Sequence, residues 1–332
     1  MNVVGWEDLA AKYYDGLLPT LSFSMAVPCT TAGVALAHAA LLDASKSVYF
    51  TVDQGCAAWP VFDALKGDGL RMQIVARDAR RARAASARLL PLVVSTVEML
   101  GEARGARPLH IVYVDDTTRR YLPSSRAYPV MPGHINGGIT STARIVTTVI
   151  VYRREDAAKV MIHELLHAFR IDEAIRARPA AEATAVAAFG VRQQPPFSWS
   201  VGLGEAYTET LACFLTACAF NKGVRAASEA ADALAVSTLA HFGRNRMLQG
   251  HGPPIVEGTH LTAYVMGRAA LLRPRWLRLL LATYPPQRPP TDANKFCSLL
   301  IAAAADWDSG RTRPSSSSSY PKSLAIEKHI VG

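Results

Sequence analysis

Residues 160–169 read Val-Met-Ile-His-Glu-Leu-Leu-His-Ala-Phe, and the prediction of the fold starts from them. On a helix, the spacing of His163 and His167 places both imidazoles on one face, one turn apart. Glu164 projects beside that face. His-Glu-x-x-His is the spacing of a zinc site whose glutamate is the general base toward a water that the metal activates. By chance the pattern occurs in about one chain in a hundred of this length, so its surroundings decide its meaning.

The residues before the motif predict a strand that leads into a buried helix. Thr147–Tyr152 and Leu109–Val114 are both rich in β-branched residues and are predicted to be strands. Glu155 and Asp156 suit a helix N-terminus, because the helix dipole favours negative charge there. The sides of the predicted helix away from the two histidines are apolar, with Ala157, Val160, Met161, Leu165 and Ala168.

A catalytic zinc site usually has three protein ligands and one open position, so two histidines are not sufficient. Glu205 is the best third ligand and lies on a separate predicted helix. Glu209, four residues further on, shares a helix face with Glu205. A zinc-bound histidine usually donates its other N–H to a carboxylate, and Glu209 is placed to accept it from His163. The alternative is that both acids face solvent at the start of the helix.

A hydrolase of this kind also needs a donor for the oxyanion of the tetrahedral intermediate. Tyr264 and His260 are the candidates, and they share one face of a predicted helix. A core tyrosine and a structural histidine are the competing interpretations. His241 and His251 are weaker candidates for the same role.

The two motifs together, His-Glu-x-x-His and a later Glu-x-x-x-Glu, resemble the glutamate-zincin (gluzincin) metallopeptidases, the group that includes thermolysin and neprilysin. Carried over residue by residue, the resemblance implies zinc ligands at His163, His167 and Glu205, a general base at Glu164 and an orienting carboxylate at Glu209. Glu209 stands where the group often has Asp, and the interval before Glu205 is longer than in thermolysin-like enzymes. The resemblance covers roughly residues 109–270.

Two further similarities concern the borders of the site. Tyr264 with Gly267 is similar to the Tyr-x-x-Gly stretch of the aminopeptidase branch, whose tyrosine stabilises the transition state. Residues 136–138, Asn-Gly-Gly, precede the strand expected to border the cleft, where gluzincins bind an extended peptide; a glycine turn without a ligand role is the preferred interpretation.

A looser resemblance, from residue 134 to residue 209, is to metallopeptidase-like proteins of large DNA viruses. It implies packaging in virions or a role in maturation inside the cell.

The predicted fold class is α+β, with a small mixed β-sheet packed on the motif helix and a mostly helical C-terminal subdomain. The C-terminal helices are expected at about 224–241, 258–283 and 292–305. The predicted units are an N-terminal α/β region of unknown role (1–107), a metallopeptidase core (108–307, with sheet and motif helix at 108–170 and helical subdomain at 200–307), and a disordered Ser-rich tail (308–332).

Bulk composition favours a soluble intracellular protein. Half of the 332 residues are apolar, which suffices for a large core, and five cysteines suggest a reduced setting. The N-terminus does not resemble a secretory signal, and no apolar run reaches the roughly 18 residues that a membrane span requires. The net charge of +9 is partly local. The residues 77–88 carry five arginines that could contact nucleic acid, a membrane surface or an acidic partner, although a solvated helix face is the preferred interpretation.

The sequence therefore predicts a zinc-dependent peptidase acting on peptide or protein substrates. The alternative is a catalytically inactive structural or binding protein with the same fold, for example a virion component. The chain does not indicate the cleavage specificity, the choice between endo- and aminopeptidase activity, or the oligomeric state.

Overall fold

The computed structural model describes residues 5–14, 26–47, 54–67, 69–124, 128–142, 145–176, 178–193, 201–220, 222–243, 246–248 and 255–310. His251 and the predicted tail from residue 311 onwards lie outside this part of the chain. The described residues form a mixed six-stranded sheet with helices packed against it and a helical C-terminal region. The predicted α+β fold is confirmed.

The sheet has the strand order β1-β2-β3-β4-β6-β5. Its strands are β1 (Val27–Pro28), β2 (Val61–Lys66), β3 (Leu70–Val75), β4 (Leu109–Val114), β5 (Gly138–Thr142) and β6 (Thr147–Tyr152). Strands β3, β4 and β6 run parallel, whereas β1, β2 and β5 pair antiparallel with their neighbours. Every residue of β4 is buried, as expected for a parallel strand covered on both faces. Because β3 pairs with β4 along its whole length, the boundary predicted at residue 107 runs through this one sheet.

The helices surround the sheet and form the C-terminal region. In chain order they are α1 (Trp6–Tyr14), α2 (Thr31–Ala44), α3 (Ala79–Arg104), α4 (Pro132–Ile135), α5 (Ala157–Ala168), α6 (Pro179–Phe189), α7 (Leu203–Ala219), α8 (Gly223–His241), α9 (Arg268–Leu271), α10 (Pro274–Thr283) and α11 (Ala293–Ser309). Two short strands, β7 (Val191–Gln193) and β8 (Ile255–Glu257), pair in parallel. The helix expected at 258–283 is divided into a π-helical turn (Ala263–Gly267), α9 and α10, because Pro274 starts a new helix.

Helix α5 carries the motif and is the most enclosed helix of the site. All of its residues are buried, including His163, Glu164 and His167 at 6% exposure each. It packs on β5 and β6 on one side and on α3 and α7 on the others. The sheet and α7 therefore both pack against the helix that carries the two histidines.

Helix α3 carries four of the five arginines of the 77–88 stretch, and Arg77 precedes its cap. Its N-terminus is capped by Asp78, whose side chain accepts the N–H of Arg81 at 2.8 Å. Arg77, Arg80 and Arg83 are exposed. Within the described part of the chain, α3 is the one helix long and apolar enough to cross a membrane by length and composition, but 61% of its apolar window is buried inside the fold, as in a core helix.

Candidate metal centre

Three ligand-type atoms converge between α5 and α7. His163 Nε2 lies 3.0 Å from His167 Nε2, and Glu205 Oε2 lies 3.1 Å from the first and 3.2 Å from the second. A tetrahedral zinc ion with bonds of about 2.0–2.1 Å holds its ligands about 3.3 Å apart. The triangle therefore fits zinc closely, and two imidazoles with one carboxylate suit other first-row divalent ions as well.

Glu205, the third candidate ligand, is positioned by a carboxylate at the start of its helix. Glu182 of α6 accepts the backbone N–H groups of Val201 and Leu203 at 2.8 Å and that of Gly202 at 3.0 Å. These N–H groups have no partner within the helix itself, and the helix dipole favours a negative charge beside them. Glu182 thus fixes the first turn of α7, which holds Glu205 against the two histidines.

His163 is supported by Glu209 on the next turn of α7. Its Nδ1 lies 3.1 Å from Glu209 Oε2. The carboxylate of Glu209 is 2% exposed and also pairs with two buried cations, Lys159 of α5 and Arg268, the latter at 2.6 Å. The sequence predicted that Glu209 lies beside His163, but it did not predict the contacts of Glu209 with Lys159 and Arg268.

His167 is supported by an aspartate that the sequence analysis did not single out. Its Nδ1 lies 3.1 Å from Asp172 Oδ2, in the turn that follows α5. Asp172 is buried and accepts the Nε–H of Arg176 at 2.8 Å, whereas the Arg176 side chain is half exposed. Its position five residues after the second histidine was the only signal for it in the sequence. Each histidine therefore has a carboxylate oxygen 3.1 Å from the nitrogen that faces away from the centre, where zinc-bound histidines usually have such a partner. At His167 the same nitrogen also contacts Nη2 of Arg176, so Asp172 and Arg176 share this position.

The electrostatics of the centre favour a positive charge between the ligands. Burial opposes the protonation of His163 and His167, but facing carboxylates outweigh it and raise the pKa of both imidazoles, that of His167 strongly. Burial also opposes the charge of Glu205, yet the two imidazoles hold its pKa well below its ordinary value. The cluster therefore attracts either a proton or a metal ion, which compete for the same nitrogens.

Glu164 lies at the edge of the sheet. The hydroxyl of Thr140 in β5 is 2.7 Å from its Oε2 and 2.9 Å from its backbone carbonyl oxygen. A Cβ atom on Gly138 would lie 2.7 Å from the Glu164 side chain. Gly138 is the first residue of the edge strand β5. A glycine is needed at this position because any side chain would occupy the space of the Glu164 side chain.

The two main candidates for the oxyanion donor occupy different positions. The ring of Tyr264 lies 6.0 Å from that of His163, centroid to centroid, and it borders the pocket beside the metal centre. It belongs to the π-helical turn, a local distortion that often marks functional sites. The ring of His260 packs against Gly202 at the start of α7. His241, a weaker candidate for the same role, ends α8 with its ring against Phe242.

Comparison of the chain with protein-family models, with curated proteins and with solved structures gives no match. The resemblance to gluzincins therefore stays a prediction from the motifs.

Proposed function

We propose that this protein is a zinc-dependent peptidase with the metal held by His163, His167 and Glu205. The observation that supports the proposal most directly is the convergence of these three side chains from two helices, with Glu164 directly beside them. Bound zinc would supply Lewis acidity, which lowers the pKa of a water molecule and polarises a carbonyl group.

Glu164 is the general base in this proposal. Its carboxylate takes the proton of the attacking water and then passes it to the leaving amine. The contact with Thr140 supports this role, because it holds the carboxylate at the edge strand instead of letting it turn into solvent. Tyr264 is the better placed oxyanion donor, since it borders the same pocket as Glu164.

The edge strand β5 gives the proposed substrate a place to bind. In the described part of the sheet, β5 pairs only with β6, so its other side offers backbone groups to an added strand. A peptide lying there would pass beside Glu164, which contacts both Gly138 and Thr140 of this strand.

The test combines metal analysis with peptide hydrolysis. Wild-type protein is expected to bind one zinc ion and to cleave members of a mixed peptide library. Glu164→Gln should retain zinc and lose hydrolysis by a factor of about 10²–10⁴, because it removes the base but no ligand. Glu173→Gln is the matched control, since Glu173 is exposed in the turn after α5 and pairs with Arg170.

Zinc retention with unchanged hydrolysis in Glu164→Gln would contradict the mechanism. Zinc binding by a wild-type protein that cleaves no peptide would support the inactive zincin-fold alternative instead.

A further inference from the structure

We infer that the pocket beside the metal centre binds a carboxylate group of the substrate close to the bond that is cleaved. This inference rests on the peptidase function proposed above. This carboxylate pocket lies between α5, α7, the π-helical turn and the segment before β5. His163 and Glu164 form part of its wall, so a group bound there is a neighbour of the reacting centre.

Three cations line the carboxylate pocket, namely Arg120, Lys159 and Arg268. All three are buried, with exposures of 8%, 3% and 2%. Buried cations are rare unless they are paired. Asp156, outside the pocket, pairs with Arg120, so the pocket itself or a bound ligand must supply an anion for Lys159 and Arg268.

The two carboxylates of the wall do not satisfy these cations. Glu209 is shared among Lys159, Arg268 and His163. Glu164 faces the hydroxyl of Thr140. Neither carboxylate forms a hydrogen bond to Nε or Nη2 of Arg268 or to Nε of Arg120.

Arg268 is the least satisfied of the three cations. Only its Nη1 reaches Glu209, while its Nε and Nη2 are buried and find no hydrogen-bond partner among the described residues. Nε of Arg120 is in the same condition, although Nη1 of that residue pairs with Asp156 at 3.0 Å. Buried donors without partners are costly and uncommon in folded proteins. Nε and Nη2 of one guanidinium form a planar fork that matches the two oxygens of a carboxylate.

Apart from Asn136, His163 and Tyr264, the rest of the wall is formed by apolar residues and glycines. Ile135, Val160, Leu234, Leu261 and Val265 line it, around a cavity of ≈ 50 Å³ that is partly open to solvent. Such a wall suits the methylene groups that carry a carboxylate in an amino acid and disfavours a fully hydrated inorganic anion. The glycine at 137 keeps the space near Arg120 open, because a Cβ there would lie 2.7 Å from Arg120 Nη2.

A peptide offers this carboxylate in two ways: as the side chain of Glu or Asp, or as the free carboxyl group of its C-terminus. The chemistry of recognition is the same, and matched peptides distinguish the sources. In one series of blocked heptapeptides, each position in turn carries Glu or the isosteric Gln. In a second series, the C-terminus is a free acid or an amide.

The zinc-loaded wild-type protein is expected to prefer the carboxylate over the matched amide by at least about tenfold in kcat/KM, in one of the two series. Arg268→Lys should reduce that ratio toward one, because a lysine keeps the pairing with Glu209 but loses the planar fork. The ratio is the readout because any general loss of activity cancels in it. Arg278→Lys is the control, since Arg278 lies on the exposed side of α10, and it should leave the ratio unchanged.

The outcomes separate this inference from the proposed function. Hydrolysis that depends on Glu164 but is equal for acid and amide peptides overturns the carboxylate pocket and leaves the peptidase intact. A wild-type ratio that Arg268→Lys does not change also overturns it. If no peptide is cleaved, the peptidase proposal fails, and calorimetric binding of the same peptide pairs decides. Tighter binding of the acid supports the pocket, and equal binding overturns it.

Discussion

Two fully buried glutamates in this protein are in opposite electrostatic states. Burial raises the pKa of both carboxyl groups. At Glu209 the positive charges of Lys159, His163 and Arg268 outweigh burial and hold the pKa well below its ordinary value. At Glu257, whose Oε2 accepts the backbone N–H of Thr262 at 2.9 Å, burial raises the pKa to about 8. Neighbouring cations, not burial alone, therefore decide that the carboxylate behind the metal centre is charged and the one before the π-helical turn is neutral.

Asp172 resembles Glu209 in its burial and its lowered pKa, but it differs in the solvent exposure of its cationic partner. Its carboxyl is as buried as that of Glu209, and His167 and Arg176 lower its pKa against the effect of burial. Its cation, however, reaches solvent, whereas the cations of Glu209 do not. Removal of each carboxylate should therefore have a different consequence.

The largest effect is expected from Glu209→Gln. The substitution leaves Lys159 and Arg268 buried without their anion, which costs about 3–5 kcal/mol of unfolding free energy. Urea unfolding of the metal-free protein measures the loss. Glu229→Gln on the exposed face of α8 is the control and should change stability by less than about 0.5 kcal/mol. A loss as small as the control would mean that the two cations already have another partner.

Asp172→Asn is expected to act mainly on the metal. The substitution weakens the support of His167, which should lower zinc affinity by about 10–100-fold, or about 1.4–2.7 kcal/mol. Competition with a chromophoric chelator measures the affinity. The metal-free protein should lose less stability than with Glu209→Gln, because Arg176 can be hydrated once its partner is gone. Equal losses of stability in the two variants would contradict the claim that solvent access of the partner cation decides how costly the loss of the carboxylate is.

A smaller recovery is expected when Lys159→Met is added to Glu209→Gln. Glu209→Gln leaves Lys159 buried without its anion, and removal of this unpaired cation should restore about 1–2 kcal/mol of the lost unfolding free energy. The double variant is compared with each single variant in the same urea experiment. Additive destabilisation, with no recovery, would show that lost packing and not unpaired charge explains the effect of Glu209→Gln.

The smallest effect, taken per pH unit, is the change in unfolding free energy with pH that Glu257 causes. Its pKa is higher in the folded protein than in the unfolded chain, so the folded state holds the extra proton between about pH 4.5 and 8. The contribution of this group to stability is complete below that window and falls by up to about 1.4 kcal/mol per pH unit as the pH rises through it. Glu257→Gln should remove this slope. Parallel stability curves for the wild type and the variant would contradict the raised pKa.

Helical spacing predicted the parts of the site that lie on single helices. The motif and the ligand chemistry of zinc selected His163, His167, Glu205 and Glu209, and helical spacing predicted that the first two share a face of α5 and the last two a face of α7. The strands β4 and β6 were predicted from their β-branched residues. These signals are local, and the structure retains them.

The partners of these residues could not be predicted, because their roles depend on packing between distant segments. Lys159 precedes the motif in a run of apolar residues and resembles an ordinary solvent-facing lysine, yet it is buried against α7. Arg268 lies far from α5 in the chain and meets the same carboxylate only in the folded protein. The pairing of β3 with β4 is likewise non-local, which is why composition placed a boundary between them.

The cap that Glu182 forms on α7 has a consequence for how such a chain can vary. It sets the position of Glu205 from α6, independently of the residues that connect β7 with α7. Insertions or deletions between residues 193 and 201 can then change the 38-residue interval from His167 to Glu205 without moving the ligand. A search for related sequences should therefore leave that interval open and require the acidic residue at the cap.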